Sequence, residues 1–309
     1  TFNVDSTLYE YYQRCQEYLL EPVVLNMSDT LFRMAGERQD ERMQAVAIAT
    51  QLDYYYFQGT NEDSVIHYTN KVKEFAKATH QPKYYYFAWA NRLITYYLKT
   101  SRTNIALYEV QNMLKEAQEE DDKTGLSRCY NIMSQIYTIK RFDSMAFEWR
   151  LKEIELTEKY KIENYNISQT YAQIANYYIN QKKQKEALAA VEKAIATANS
   201  STQQISAKLE FVNYYSKFGD FQAAEKLLKE CQAAFEQDKR LESIKKRLYN
   251  IECLYYQQTK QYPKALEAAK MQEKEERRLS ESILSSIHYR TQGEIYQKMG
   301  NMNLAVKYL

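Results

Sequence analysis

Nine side chains stand out for what they could bind. Asn91, Asn131, Asn176, Asn213 and Asn250 recur along the chain, Thr95 and Gln135 stand four residues after two of them, and Arg128 and Arg247 stand three residues before two of them. An amide carries a donor and an acceptor, the same complement as a peptide bond, so a file of amides matches the backbone of an extended peptide. A guanidinium adds charge-assisted bonds to a carboxylate, on an acidic side chain or at a chain terminus. Asparagine is a poor residue for a helix interior, so its repetition on one helical face asks for a reason. A second reading needs no ligand: the amides tie neighbouring helices together or face water.

What places these residues is a repeated tyrosine. Tyr18, Tyr55, Tyr97, Tyr137, Tyr178, Tyr215, Tyr256 and Tyr296 follow one another at steps of 37 to 42 residues. The amides fill slots six and two before this marker: Asn91 and Thr95, Asn131 and Gln135, then Asn176, Asn213 and Asn250, with Ala172, Leu209 and Leu254 in the remaining places. Arg128 and Arg247 both stand nine before it. Nine after it come Met27, Ser64, Ala106, Ala146, Ala187, Ala224, Ala265 and Ala305, and four after it a frequent turn residue: Gly59, Gly219 and Gly300, with Ser101 and Lys182 in other copies. The clearest copy is Ser168–Ser201. Tyr171, Ile174, Ala175 and Tyr178 stripe a first helix, Gln181–Gln184 is a polar break, and Ala187, Val191 and Ala194 stripe a second helix. So short a break predicts antiparallel packing, with small residues where the helices cross.

This spacing resembles the tetratricopeptide repeat (TPR), a helix–turn–helix unit that stacks into a solenoid. The resemblance implies an all-α fold, an α-solenoid forming a right-handed superhelix of about eight TPR-like helix pairs. The expected units are about 8–41, 45–78, 87–120, 127–160, 168–201, 205–238, 246–279 and 286–309, the last one truncated, in a single domain over 1–309. The step exceeds the roughly 34 residues usual for the repeat, and the proline that often closes a unit is missing. The resemblance also implies that the first helices line a concave groove that holds peptides or partner proteins.

Composition narrows the function. Six glycines and three prolines in 309 residues argue against a sheet or loop-rich protein. Thirty tyrosines suit a thin stack in which most residues lie near the surface, since the ring packs while its hydroxyl reaches water or a partner. A net charge of +2 is no footprint for nucleic acid. His67, His80 and His288 lie far apart with no metal-ligand spacing, and the chain has no glycine-rich phosphate loop and no nucleophile elbow. No catalytic residue, metal or cofactor is therefore expected in this chain. Cys15, Cys129, Cys231 and Cys253 read as buried small apolar residues, with a Cys231–Cys253 pairing left open. Gly293–Leu309 looks like a DNA-binding helix-turn-helix, but it fits the repeat register and offers Lys307 alone as a basic residue in its second helix. The aromatic runs Tyr54–Phe57 and Tyr84–Phe87 could stack bases, yet read better as packing residues without a basic groove. Gln272–Arg278 reads as a solvated, charge-dense helix end.

The long tyrosine-rich repeats and the opening LYEYYQRCQEYLLEPVVLNMSDTLFRMAGERQD resemble the N-terminal sensor region of Bacteroidetes two-component histidine kinases. That resemblance implies a periplasmic array anchored through a membrane helix outside this chain, with the kinase also outside it. No apolar run here is long enough to span a bilayer. The start at Thr1 and the stop at Leu309 inside a repeat read as a piece of something longer. Two other classes fit: a cytosolic peptide-receptor regulator, similar to the Gram-positive quorum-sensing receptors, and an assembly scaffold. The expected partner is a peptide or protein segment in the groove, with no nucleic acid and with a homodimer possible.

Overall fold

The computed structural model describes residues 5–59, 61–278 and 285–309, with the side chains of 276–278 and 285–287 left outside the description. The joint between the seventh and eighth units, the last charges of Gln272–Arg278 and the start of the eighth unit near Ser286 fall there. The chain divides into two compact units, Thr1–Ile162 and Glu163–Leu309.

In the first unit, four helix pairs follow one another. They are α1 (Ser6–Glu17) with α2 (Val23–Glu37), and α3 (Glu41–Gln58) with α4 (Glu62–Ala78). Next, α5 (Pro82–Ala88) runs through a π-helical stretch, Trp89–Ile94, into α6 (Thr95–Lys99), and this composite helix pairs with α7 (Thr103–Glu119). The last pair is α8 (Lys123–Ile139) with α9 (Asp143–Tyr160). The second unit holds α10 (Ile167–Asn180) with α11 (Gln184–Ala196), and α12 (Ser201–Phe218) with α13 (Phe221–Gln237). After a 3-10 turn, Lys239–Ile244, come α14 (Lys245–Gln258) with α15 (Tyr262–Arg278), and α16 (Ser285–Lys298) with α17 (Met302–Tyr308). Every described element is helical, and the fold is an all-α, TPR-like solenoid.

The turn inside each pair explains the tyrosine register. The residue four after the marker takes a left-handed conformation from Tyr55 onward: Gly59, Ser101, Arg141, Lys182, Gly219, Lys260 and Gly300 have φ between 57° and 90°. The next residue then donates its N–H back to the marker's carbonyl at 2.8–3.0 Å, from Arg102, Phe142, Lys183, Asp220, Gln261 and Asn301 to Tyr97, Tyr137, Tyr178, Tyr215, Tyr256 and Tyr296. This is the Schellman closure of a helix C-terminus. The donor residue also starts the next helix: Arg102, Phe142, Lys183, Asp220 and Asn301 are N-caps. Four residues on, the N–H of Ala106, Ala146, Ala187, Ala224, Ala265 or Ala305 makes the first helical bond to that N-cap carbonyl, and each of these alanines is buried at the crossing.

The first two copies depart from this register. In the second pair the N-cap is Asn61, one residue later, so Val65 rather than Ser64 fills the crossing. In the first pair no left-handed residue follows Tyr18; Pro22 opens α2, Tyr18 is exposed, and Ser28 rather than Met27 is buried. In two copies the tyrosine just before the marker is the more buried of the two: Tyr214 and Tyr255 are buried, whereas the markers Tyr215 and Tyr256 pack against the core from a half-buried position. The marker thus matters as much for its carbonyl as for its ring.

The aromatic runs serve packing. Tyr85, Tyr86 and Trp89 lie in the core of the first unit, where the Trp89 indole N–H donates to Glu109 at 2.8 Å and the Tyr85 hydroxyl to Glu116 at 2.6 Å. Tyr86 is fully buried against α8, and a Cβ on Gly125 would stand 2.4 Å from its Cζ. Within Gly293–Leu309, a Cβ on Gly293 would meet Leu309 Cγ at 2.7 Å, so this glycine lets α17 close on α16 as in a repeat pair. All four cysteines are buried free thiols, so Cys231 and Cys253 are unpaired; burial raises the Cys15 and Cys129 thiols to about 11 and about 12.

Two stability measurements check this account by chemical denaturation. Lys182→Gly relieves a left-handed lysine and is expected to stabilise by about 1 kcal/mol, while Gly219→Ala, which forces a side chain into that conformation, is expected to cost about 1–2 kcal/mol. Equal effects at the two positions would contradict the turn assignment. Gly125→Ala must displace the Tyr86 ring and is expected to cost about 1–3 kcal/mol, with the Tyr86→Phe background unable to restore it, because the clash is with the ring and not the hydroxyl.

Candidate partner-binding face

First helices of successive pairs lie side by side within each unit: α3 against α5, α5 against α8, α10 against α12 and α12 against α14. The side chains singled out by spacing sit on these helices. The structure brings them together in small polar groups, most of them with their amides already bonded.

In the first unit, Asn91 belongs to the π-helical stretch, whose wider turn is also marked by Thr95 donating its hydroxyl to the Ala90 carbonyl five residues back at 2.9 Å. The Asn91 carbonyl oxygen of the side chain accepts from Arg128 Nη1 at 3.1 Å. Asn131 donates its amide to both oxygens of Glu153, each at 3.2 Å, and accepts from exposed Gln135 at 2.7 Å. Glu153 itself is buried on α9. The neighbouring Arg92 pairs with Asp53 and lies against the rings of Phe87 and Tyr56, at 4.5 and 4.9 Å from their centroids. Burial pushes the Asp53 carboxyl above its ordinary range, with the Arg92 bond opposing that shift.

In the second unit the centre is Glu210, which is 2% exposed. Its Oε1 accepts from Asn213 at 2.8 Å and from Asn176 at 3.2 Å, and its Oε2 pairs with Arg247 Nη2 at 2.8 Å. One carboxylate therefore ties together α10, α12 and α14. Asn180 donates to the side-chain oxygen of Asn176 at 3.0 Å, whereas Asn250 is exposed. Amides thus tie neighbouring helices in both units, while Gln135 and Asn250 remain at the surface.

Beside this knot lies a hollow of about 260 Å³ between the upstream ends of α10, α12 and α14. Gln169, Thr202, Ser206, Lys246 and Arg247 line it around a floor that includes Ala172 and Ala207, with no acidic side chain in the lining. Gln169, Ser206 and Arg247 each stand nine residues before a marker tyrosine, so the repeat aligns them across three helices. Spacing alone found Arg247 but passed over Gln169 and Ser206, although the shared slot was the signal. It also passed over Glu153 and Glu210, the acids that hold the amides; Glu210 stands three residues before Asn213, on the same helical face.

No protein-family model and no curated protein matches the chain. Solved structures do. A Rap protein complexed with competence and sporulation factor superposes with a TM-score of 0.56 at 11% identity, covering 98% of this chain and 95% of that one. The apo quorum sensor NprR from B. thuringiensis gives 0.54 at 14% identity, covering 99% and 97%. A STAND protein with a tetratricopeptide repeat sensor from Pyrococcus horikoshii gives 0.53 at 13% identity, covering 99% of this chain and 52% of that one. At such identities the likeness establishes the fold, a TPR-like helical repeat. No helix among the described residues is long and apolar enough to cross a membrane.

The role of Glu210 is open to a direct check. Glu210→Ala strands Asn176, Asn213 and a partly buried Arg247, and breaking one side of such a pair costs about 3–5 kcal/mol. Thermal unfolding of the variant is expected to show that loss; a change within experimental error would mean the three donors find water instead.

Proposed function

We propose that the first-helix faces bind an extended peptide or a segment of a partner protein, and that the chain is a recognition module in signal transduction. The hollow between α10, α12 and α14 carries this reading. Its hydroxyl and amide lining suits a peptide backbone. The side chains of Gln169, Thr202 and Ser206 make no hydrogen bond among the described residues, which leaves their donors and acceptors for a ligand. The fold shared with a Rap protein bound to competence and sporulation factor supports the same reading. Asn91, Asn131, Asn176 and Asn213 then act as the frame, with Gln135 and Asn250 at the surface beside it. The chain itself supplies recognition and no catalysis.

In its finer form, this module is the periplasmic sensor region of a two-component histidine kinase, passing a change in helix stacking to segments outside the chain. The tyrosine-rich repeats and the opening stretch support that form. The likeness to the quorum sensor NprR favours a cytosolic peptide receptor instead. The sequence following Leu309 in the gene separates the two: an apolar run of about 20 residues leading to a kinase fits the sensor, and its lack fits the receptor.

The binding reading is tested by selecting displayed peptides against the purified chain and measuring the affinity of those selected. Ser206→Phe fills the hollow and is expected to weaken binding at least about tenfold while leaving the melting temperature near its original value, since Ser206 is only partly buried and its side chain faces the open hollow. Failure to select any peptide, or equal binding to the filled variant, would refute the reading.

A further inference from the structure

Arg128 and Arg247 occupy the same slot of the repeat, and in both the Nε is buried without a partner. Their remaining nitrogens differ. Arg247 pairs with the buried Glu210 carboxylate at 2.8 Å. Arg128 has one partner, the neutral side-chain oxygen of Asn91, at 3.1 Å. The other buried or partly buried arginines among the described residues all have acids: Arg92 has Asp53, Arg102 has Glu62, and Arg150 lies beside Glu153 and Asp143. Arg128 is the exception.

A cation withdrawn from water without a counter-charge destabilises the protein that holds it. Consistent with that, burial alone pulls the Arg128 guanidinium below its ordinary value, with no charged group opposing the shift. Its local frame is unusual too. Asn91 is presented from a π-helical turn, a distortion that recurs at functional sites, and it accepts one guanidinium N–H while leaving the positive charge uncancelled. A position tuned only for stability would carry an acid where Asn91 stands, as the equivalent arginine in the second unit has Glu210 beneath it.

We propose that Arg128, oriented by Asn91, is the anchor for a carboxylate carried by the segment that binds the first unit. This rests on the peptide-binding reading and adds to it the chemistry of the ligand: a carboxylate meets the terminal nitrogens of Arg128 and supplies the missing counter-charge. Arg247, by contrast, is a frame residue already committed to Glu210. Two residues in one repeat slot thus have opposite roles, one held in reserve for a ligand and one spent on folding.

Paired variants and simple probes test this. In the free protein, Arg128→Met removes an uncompensated charge and is expected to hold or raise the melting temperature, by up to about 2–4 °C. Arg247→Met strands Glu210 and is expected to lower it. Binding is measured by calorimetry with C-terminally amidated hexaglutamate, which carries side-chain carboxylates only, and with hexaglycine bearing a free C-terminus, which carries a terminal carboxylate only. At least one is expected to bind the unaltered chain and to lose about tenfold or more in affinity in Arg128→Met, and the probe that does so identifies the source of the carboxylate. A melting temperature lowered by Arg128→Met as by Arg247→Met, no binding of either probe, or equal binding by the variant would overturn the proposal. Selected peptides that lose affinity in Ser206→Phe but bind Arg128→Met unchanged would remove this role of Arg128 and leave the peptide-binding reading standing.

Discussion

The tightest constraint in this protein is the closure of each first helix onto the start of its second. A helix ends with carbonyls that lack partners, and here the tyrosine carbonyl is met by the N–H of the residue that begins the next helix. One left-handed residue reverses the chain, and the same residue that closes one helix opens the other. Closure spans five residues from marker to N-cap and the first helical bond spans four more, so the nine-residue interval from tyrosine to alanine is a count of backbone bonds. The alanine must be small because it lies where so short a connection presses the two helices together. Lysine, arginine and serine occupy the left-handed position in several copies, at a conformational cost that glycine would avoid. The tertiary contacts therefore hold the turn against local preference.

A stack of helix pairs has little interior, and its polar groups must be managed at close range. The aromatic side chains serve this end. Tyr85 and Trp89 bury their rings while each delivers its polar tip to a glutamate of α7. The same economy governs the charged groups. Glu210 is almost completely buried, yet it receives bonds from three consecutive first helices and so fixes their spacing. Asp53 and Arg92 do similar work between α3 and the π-helical stretch. Polar groups on this face thus divide into those bonded within the frame and those, such as Gln169 and Ser206, whose side chains make no hydrogen bond among the described residues.

Much of the architecture was legible in the sequence because the repeat is enforced by backbone geometry, which leaves a periodic trace. Marker, turn residue and alanine recur because each has a fixed place in the turn. Reading failed where the turn changed. The second pair takes one more residue before its N-cap, which moves burial from Ser64 to Val65. The first pair, opened by Pro22, lacks the left-handed closure altogether. A one-residue change in a loop leaves composition and spacing nearly untouched, yet it rotates every side chain of the following helix by about 100°.

What the sequence determined by itself was the helix-pair fold, the slots on each first helix and the residue types available for binding. These follow from periodicity and from local hydrogen-bond closure, both of which act over a few residues. What only the tertiary structure decided was which polar groups are spent and which remain. Asn131 and Asn250 share a slot in the sequence, but the first bonds the buried Glu153 while the second lies at the surface. Arg128 and Arg247 share a slot, but one meets an amide and the other a buried acid. Such differences depend on side chains brought together from helices some 20 to 40 positions apart, and a hydrogen bond has no periodic signature from which its partner could be read.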